Sequence, residues 1–198
     1  MKKLIVASNN NHKVAEIRKI LSAFDLEVKS LKEAGIDIDI EENGTTFMEN
    51  SEIKARAIKA ICKDSMILAD DSGLSVAALN GAPGIYSARY SGEHGNDVEN
   101  NKKLIREMEG IPFEKRNAKF VCAMVLITED DKVVKVQGEV DGFIQEKYEV
   151  CEGFGYDPLF YVPELKATFN DVSVEVKNSM SHRGRALELL KKELVNLL

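Results

Sequence analysis

The chain has 198 residues, with hydrophobic residues at 44% and charged ones at 30%, so it has the composition of a globular protein and is too apolar for a disordered one. Lys and Arg total 27 against 33 for Asp and Glu, a net charge of −6 that argues against a general nucleic-acid binder or a polybasic membrane-surface protein. Small anionic ligands stay open, because a local group of positive charges or a metal is enough to hold them.

Targeting signals are not expected. Lys2 and Lys3 precede only four apolar residues, Leu4 to Ala7, where a secretory core needs about 7–15. The longest apolar run, Phe120 to Ile127, is far shorter than the roughly 18 residues of a membrane helix. Cys62, Cys122 and Cys151 are widely spaced and odd in number, which predicts neither a disulfide framework nor a zinc site and points to a reducing cytoplasm. Cys62 and Cys122 sit among apolar residues and read as small core hydrophobes.

In chain order, Leu4–Ala7 reads as a short buried strand. It runs into Ser8–Lys13 and a helix whose apolar stripe is Val14, Ile17, Ile20, Leu21 and Phe24. Thr46-Phe47-Met48-Glu49 has capping-box form and opens a second helix, expected to turn Phe47, Ile53, Ala57, Ile58 and Ile61 inward. Met66–Ala69 is a second buried strand, expected to end at Asp70-Asp71-Ser72-Gly73, with mostly loop from there to Gly95. Asp97 is placed to cap a helix bearing Leu104, Ile105 and Met108. Ala118–Thr128 and Lys132–Val140 read as an antiparallel hairpin, Leu159–Val162 as a further strand, and Arg183–Leu198 as an amphipathic helix. No repeat or Gly/Ser linker interrupts the chain, so residues 1–198 are expected to form a single α/β domain with a mixed sheet.

Four segments could carry chemistry. Ser8, Asn9, Asn10, Asn11, His12 and Lys13 lie between a strand and a helix, where backbone N–H groups and the helix dipole favour an anion. Without glycine this is not a Walker loop; hydroxyl and amide donors and Lys13 would have to serve instead. Taken alone, the segment reads more simply as helix capping by Asn10 or Asn11, with Lys13 solvated. Asp70 and Asp71 could hold Mg²⁺ through carboxylate oxygens, with Glu41-Glu42 as a complementary donor, or could be an acidic turn. In Gly153-Phe154-Gly155-Tyr156-Asp157-Pro158 the glycines allow close backbone approach and Phe154 can stack on a flat base; a tight turn with core aromatics is the alternative. Lys177, His182 and Arg183 gather ahead of the last helix, where positive charge opposes the dipole unless an anion or carbonyl oxygen sits there. Lys54, inside the second helix, taken singly reads as an exposed helix lysine.

Taken together, seven segments in register resemble the inosine triphosphate pyrophosphatase (Ham1-like) family across essentially the whole chain. They are Ser8-x-Asn10-x-x-Lys13, Glu41 three before Gly44, Thr46-Phe47-x-Glu49-Asn50-x-x-x-Lys54-Ala55, Ala69-Asp70-Asp71-Ser72-Gly73-Leu74, Gly81-Ala82-Pro83-Gly84-Ile85-Tyr86-Ser87-Ala88-Arg89, Gly153–Pro158 and Ser181-His182-Arg183-Gly184. Where the family has a glycine-rich lead-in before Phe154, this chain has Val150-Cys151-Glu152. The resemblance implies an elongated, two-lobed α/β fold: a central mixed β-sheet flanked by helices, an active-site cleft between the lobes, and a homodimeric assembly. It implies Mg²⁺-dependent hydrolysis of deaminated purine nucleoside triphosphates (ITP, dITP, XTP) to the monophosphate and pyrophosphate. By position, Ser8 to Lys13 and Ser72 would hold the substrate. Glu41 and Asp71 would bind Mg²⁺, with Asp71 as general base supported by Asp70, and Lys54 near the phosphates. Phe154, Gly155, Tyr156, Asp157, Lys177, His182 and Arg183 would receive the base. Arg183 can only donate, so it suits the O6 acceptor of hypoxanthine and rejects the N6 donor of adenine. The rival readings are a broader pyrophosphatase acting on modified pyrimidine or standard nucleotides, and a nucleotide sensor that does not hydrolyse; neither nucleic-acid polymers nor membranes are expected partners.

Overall fold

The computed structural model describes residues 2–151 and 153–197; Glu152 lies outside them. Seven strands form one mixed sheet in the order β2-β1-β3-β4-β5-β6-β7. These are β1 (Lys2–Val6), β2 (Leu26–Ser30), β3 (Met66–Val76), β4 (Asn117–Ile127), β5 (Val133–Ile144), β6 (Phe160–Val162) and β7 (Ala167–Thr168). The helices are α1 (Asn11–Leu21), α2 (Phe47–Ile61), α3 (Asp97–Glu107), α4 (Val174–Met180) and α5 (His182–Leu197). The pairs β1–β2 and β1–β3 are parallel, whereas β5–β6 and β6–β7 are antiparallel. The expected α/β class and mixed sheet are therefore what the chain adopts. Contacts divide it into two compact units, one of residues 1–71, 122–138 and 185–198, the other of residues 72–121 and 139–184.

In the first unit the strand period of two decides the layers. Leu4, Val6, Met66, Leu68, Cys122, Met124 and Leu126 share one core with Val14, Ile17 and Leu21 of α1 and Ala186, Leu187, Leu190 and Leu194 of α5. The alternate residues, Ile5, Ala7, Ile67, Ala69, Val125 and Ile127, pack instead with Ala55 and Ile58 of α2. Side chains of this size stabilise by roughly 1.5–3 kcal/mol each when fully buried, so both faces of the sheet contribute to stability. The stripe expected on α1 holds: Ile20 and Phe24 lean on the same core from partly buried positions, although the helix proper ends at Leu21.

Two expectations need correction. The face that α2 buries is Asn50, Ser51, Ala55, Ile58 and Lys59, and Ile61 is exposed. Apolar periodicity misjudged this helix because polar side chains on the buried face find partners: the Ser51 hydroxyl donates to the Ala69 carbonyl at 2.9 Å, and the Lys59 ammonium to the carbonyls of Lys63 and Ser65. β3 does not stop before the aspartates but continues through them to Val76, because Leu74 and Val76 are core residues of the second unit and keep the strand extended. Residues 70–76 are strand rather than loop. The strand β2 and the helix α4 were not anticipated from sequence; β2 has a half-buried pattern, and α4 is short with no buried residue.

The second unit is built on an aromatic core. The ring of Phe120 lies against those of Phe160 and Phe169, with centroids 4.4 and 6.2 Å away, and His182 stacks on it at 4.7 Å and 12°. Ser181 ends α4 and starts α5, its hydroxyl accepting from the Gly184 N–H at 3.1 Å. Gly184 is required by this junction: a Cβ there would lie 1.8 Å from the Asn178 carbonyl oxygen. Gly184→Ala is expected to cost about 1–3 kcal/mol, as forced overpacking does, read as a drop of several degrees in thermal denaturation. An unchanged midpoint would contradict the close approach of α4 to α5.

Candidate active site

The residues singled out from sequence fall into two groups, one in each unit. In the first unit β1 lies between β2 and β3, and the chain leaves the carboxyl end of β1 through the Ser8–Lys13 loop, the edge at which open α/β sheets present ligand-binding loops. The Ala7 N–H bonds to the Leu68 carbonyl at 2.8 Å, which brings the Ser8–Lys13 loop alongside Asp70 and Asp71.

The loop is ordered by its own side chains. Asn10 is the N-cap of α1, its amide oxygen accepting from the Lys13 N–H at 3.1 Å, and the Ser8 hydroxyl accepts from the Asn10 N–H at 3.1 Å. The Asn9 amide oxygen accepts from the Lys32 N–H at 2.9 Å, while Asn11 and His12 are exposed in the first helical turn. Capping by Asn10 is thus real, and with Ser8 it orders the turn that opens α1.

Consecutive residues of a strand point to opposite faces, and here each of two adjacent acids meets a lysine from the helix on its own face. Asp70, 3% exposed, takes Lys13 of α1 at 2.9 Å. Asp71 faces α2, where Lys54 lies 3.7 Å away and Asn50 donates its amide to Asp71 at 3.3 Å. The Lys54 ammonium also bonds Glu42 at 2.9 Å. Glu41, the expected metal ligand, is exposed one residue before it. The acid loop is latched to α2 by Asn50, whose amide oxygen accepts from the Gly44 N–H at 2.8 Å. Thr46 caps α2 as expected, with its hydroxyl accepting from the Glu49 N–H, and the Glu49 carboxylate reaches back to accept from the backbone and hydroxyl of Thr45 and from the Thr46 backbone. Of the Glu41-Glu42 pair offered by the sequence, Glu42 is the one that meets Lys54; Asn50 was missed as a site residue, and the signal for it was its place inside the Thr46–Lys54 segment.

The charges are mutually adjusted. Burial holds the Asp71 carboxyl above its usual 3.8; Lys54 opposes the rise, Glu42 adds to it, and Lys13 and the Asn50 amide oppose it. Burial acts to lower Lys54, yet the charges of Asp71, Asp70 and Glu42 outweigh it and leave the ammonium above 10.5. Lys54 is therefore a permanent cation, largely buried, and not the exposed helix lysine that it resembles singly. Asp71 is a carboxylate whose charged form is under-compensated, a property of acids that take protons or hard cations. Among the described residues no group of three or more His, Cys, Asp or Glu side chains is arranged to hold a metal ion. Mg²⁺ asks less, since it is commonly held by one or two carboxylates together with substrate phosphates.

The second unit holds the other group. Gly153 has no room for a Cβ, which would lie 2.5 Å from the Asn170 amide oxygen and 2.8 Å from Pro158. Gly155 has φ +57, left-handed, and turns the chain so that Phe154 is 42% exposed while Tyr156 is buried and donates its hydroxyl to the Ser87 carbonyl at 2.8 Å. Burial pushes the Tyr156 phenol well up, so it stays protonated as that donor. Lys177 is ion-paired with Asp157, and its ammonium lies 5.7 Å from the centre of the Phe154 ring. The Arg183 guanidinium donates to the Ser72 hydroxyl at 3.2 Å, and both Arg183 and His182 are buried. Phe154, Asp157 and Lys177 thus come together, as do Ser72 and Arg183. His182 is engaged by its ring face with Phe120.

The model of the Ham1 family matches residues 4–193. A dITP/XTP pyrophosphatase of Clostridium perfringens is 53% identical over 203 residues, covering all of both chains, and one of Clostridium tetani is 48% identical over 98% of this chain and 96% of that protein. Among solved structures, the Ham1 protein of Staphylococcus aureus is 40% identical with a TM-score of 0.89 over all of both chains. A Ham1 protein from Coxiella burnetii is 39% identical with the same score, covering 99% of this chain and 100% of that one.

The raised Asp71 has a thermodynamic sign. A carboxyl whose folded value lies above its unfolded one contributes stability that is complete below 3.8 and is lost as pH rises through the folded value. At neutral pH the ionised group is a net cost, which an amide lacks. Metal-free Asp71→Asn is therefore expected to melt at or above the wild-type temperature at pH 7, the difference vanishing below 3.8. Thermal denaturation across that pH range checks it, and a lower midpoint for the variant at pH 7 contradicts the balance of charges around Asp71.

Proposed function

The chain belongs to the Ham1 family, and from that premise we propose that it hydrolyses deaminated purine nucleoside triphosphates, dITP, ITP and XTP, to the nucleoside monophosphate and pyrophosphate. The observation that carries this reading is the pairing of adjacent acids with lysines from two helices, Asp70 with Lys13 and Asp71 with Lys54. Such an arrangement places cations for phosphate oxygens next to a carboxylate able to take a proton. A non-hydrolysing sensor has less use for that carboxylate.

In the proposed reaction a water oxygen attacks the α-phosphorus, its proton passes to an Asp71 carboxylate oxygen, and the bond from the α-phosphorus to the bridging oxygen breaks. Pyrophosphate leaves with the electron pair. Asp71 is suited to receive the proton because burial favours its neutral form. Lys54 keeps its proton throughout and offsets charge that grows on the phosphate oxygens. Lys13 and the N–H groups at the start of α1, ordered by Ser8 and Asn10, would hold the outer phosphates. Asp70 acts through Lys13, keeping the ammonium in place before substrate arrives.

Mg²⁺ is the proposed cofactor, on Asp71 and Glu41 with Glu42 beside them; when bound it neutralises phosphate charge and lowers the pKa of water. An under-compensated buried carboxylate next to further carboxylates fits a hard divalent cation with few protein ligands. Phe154 would stack on the base, with Asp157, Lys177, His182 and Arg183 along its polar edge. The Arg183 and Lys177 donors suit an O6 acceptor and disfavour the N6 amine of adenine. We place the enzyme in the cytoplasm as a homodimer; three cysteines with no disulfide among them fit a reducing compartment, and among the described residues no helix is long and apolar enough to cross a membrane.

The test is a panel of ITP, dITP, XTP, GTP, ATP and dUTP with Mg²⁺, with products identified. Rapid release of pyrophosphate from the first three is expected, and equal turnover of GTP and ITP overturns the substrate class. Asp71→Asn should lower kcat by about 100-fold or more, the low end for losing a general base. Lys13→Ala should chiefly raise KM, because its ammonium binds phosphate without joining the proton transfer.

A further inference from the structure

We infer that Asp97 and Asn101 of α3 are positioning residues for base recognition, holding both backbone polar groups of Gly155 in the loop that presents Phe154. The inference rests on the reading that Phe154 stacks on the base, and it assigns work to a helix that this reading leaves without any.

Asp97 and Asn101 are four residues apart and share one face of α3. The Gly155 N–H donates to the Asp97 carboxylate at 2.7 Å, and the Asn101 amide donates to the Gly155 carbonyl at 2.8 Å. The same amide also donates to the Asp97 carbonyl at 2.9 Å, which ties the two ends of the clamp together. Asn101 is 1% exposed, so water does not compete for its bonds. The bond to Asp97 is charge-assisted, roughly twice the strength of a neutral one. Asn96, not Asp97 as the sequence suggested, is the N-cap of α3. Asp97 is thereby left in the first turn with its carboxylate turned to Gly155.

The geometry makes Gly155 the point at which the loop has to be held. With its left-handed φ it sends the two flanking aromatic rings opposite ways, Tyr156 into the core and Phe154 outward. An exposed ring on an unrestrained turn loses conformational freedom when a base stacks on it, and that loss weakens binding; a ring held beforehand does not incur it. The preceding segment does not supply this restraint from glycine-mediated packing, since Val150 and Cys151 are exposed. The restraint comes from the other side: Gly153 is pressed against Asn170 and Pro158, and Gly155 is gripped by α3. The neighbouring Asn100 accepts from the Ser91 N–H at 2.7 Å and donates to the Ala88 carbonyl, holding the segment whose Ser87 carbonyl receives the Tyr156 hydroxyl. One helix therefore steadies both strands of chain around the ring.

Steady-state kinetics on dITP and GTP with Asp97→Ala, Asp97→Asn, Asn101→Ala and Phe154→Ala tests the clamp. Asp97→Ala and Asn101→Ala should each raise KM for dITP about tenfold, the loss of one strong hydrogen bond, with kcat changed by less than about threefold. Asp97→Asn retains an acceptor and should recover most of the affinity. The chain has no tryptophan, so Phe154→Trp gives a single-tryptophan reporter on the folded protein. Its fluorescence anisotropy should fall when Asp97→Ala or Asn101→Ala is added and hold with Asp97→Asn, an effect that a role confined to capping α3 would not produce. If Phe154→Ala raises KM while the α3 variants leave KM and anisotropy unchanged, the clamp is refuted and the base-stacking reading stands. If Phe154→Ala leaves KM unchanged, the base-stacking reading fails and the inference with it.

Discussion

Two neighbouring aspartates on one strand each face a lysine from a different helix, and much of the first unit can be understood from that constraint. A strand sends successive side chains to opposite faces, so Asp70 and Asp71 cannot share a partner on one side of the sheet. Asp70 requires α1, whose Lys13 reaches it, and Asp71 requires α2, whose Lys54 and Asn50 reach it. Buried carboxylates left alone would be neutral or strongly destabilising. With these partners the two acids sit on the strand side by side, and the charge of Asp71 is balanced incompletely. Incomplete balance leaves room for a proton or cation to bind there.

The second unit holds a flat aromatic and a set of donors side by side, the features on which the proposed base site rests. Its core is stacked rings, with Phe120 at the centre and His182 packed flat upon it. The loop with Phe154 is anchored to that core through Tyr156 and to α3 through Gly155. Lys177 is held by Asp157 and kept near the ring. Preorganised donors and a held ring lower the ordering cost of binding, the usual route by which a small site becomes selective.

Legibility from sequence differed from one element to the next for physical reasons. The buried strands around Ile5 and Ile67, the α1 stripe and the cap at Thr46 were readable, because each is a local pattern with one dominant cause. α2 was misjudged because its inward face carries Asn50, Ser51 and Lys59, each satisfied by a partner distant in the chain or at the helix end. β3 was cut short because an Asp-Asp-Ser-Gly run resembles a turn until the cations that face the acids are known. Glu41 and Glu42 were read as one source of carboxylate, since nothing local distinguishes two adjacent glutamates; that Lys54 meets Glu42 is known only from the fold. Asn101 looked like any helix asparagine, since its partner is Gly155, more than fifty residues on.

By itself the sequence determined the α/β class, the order of the main elements and the family, because strand and helix periods, caps and seven motifs in register are written along the chain and need no partners to be read. The tertiary structure alone decided which charges balance which. The net charge of −6 says little about Asp70 and Lys13 or Asp71 and Lys54. Coulomb energy and desolvation depend on separation and burial, and both come into being only when the helices close on the sheet.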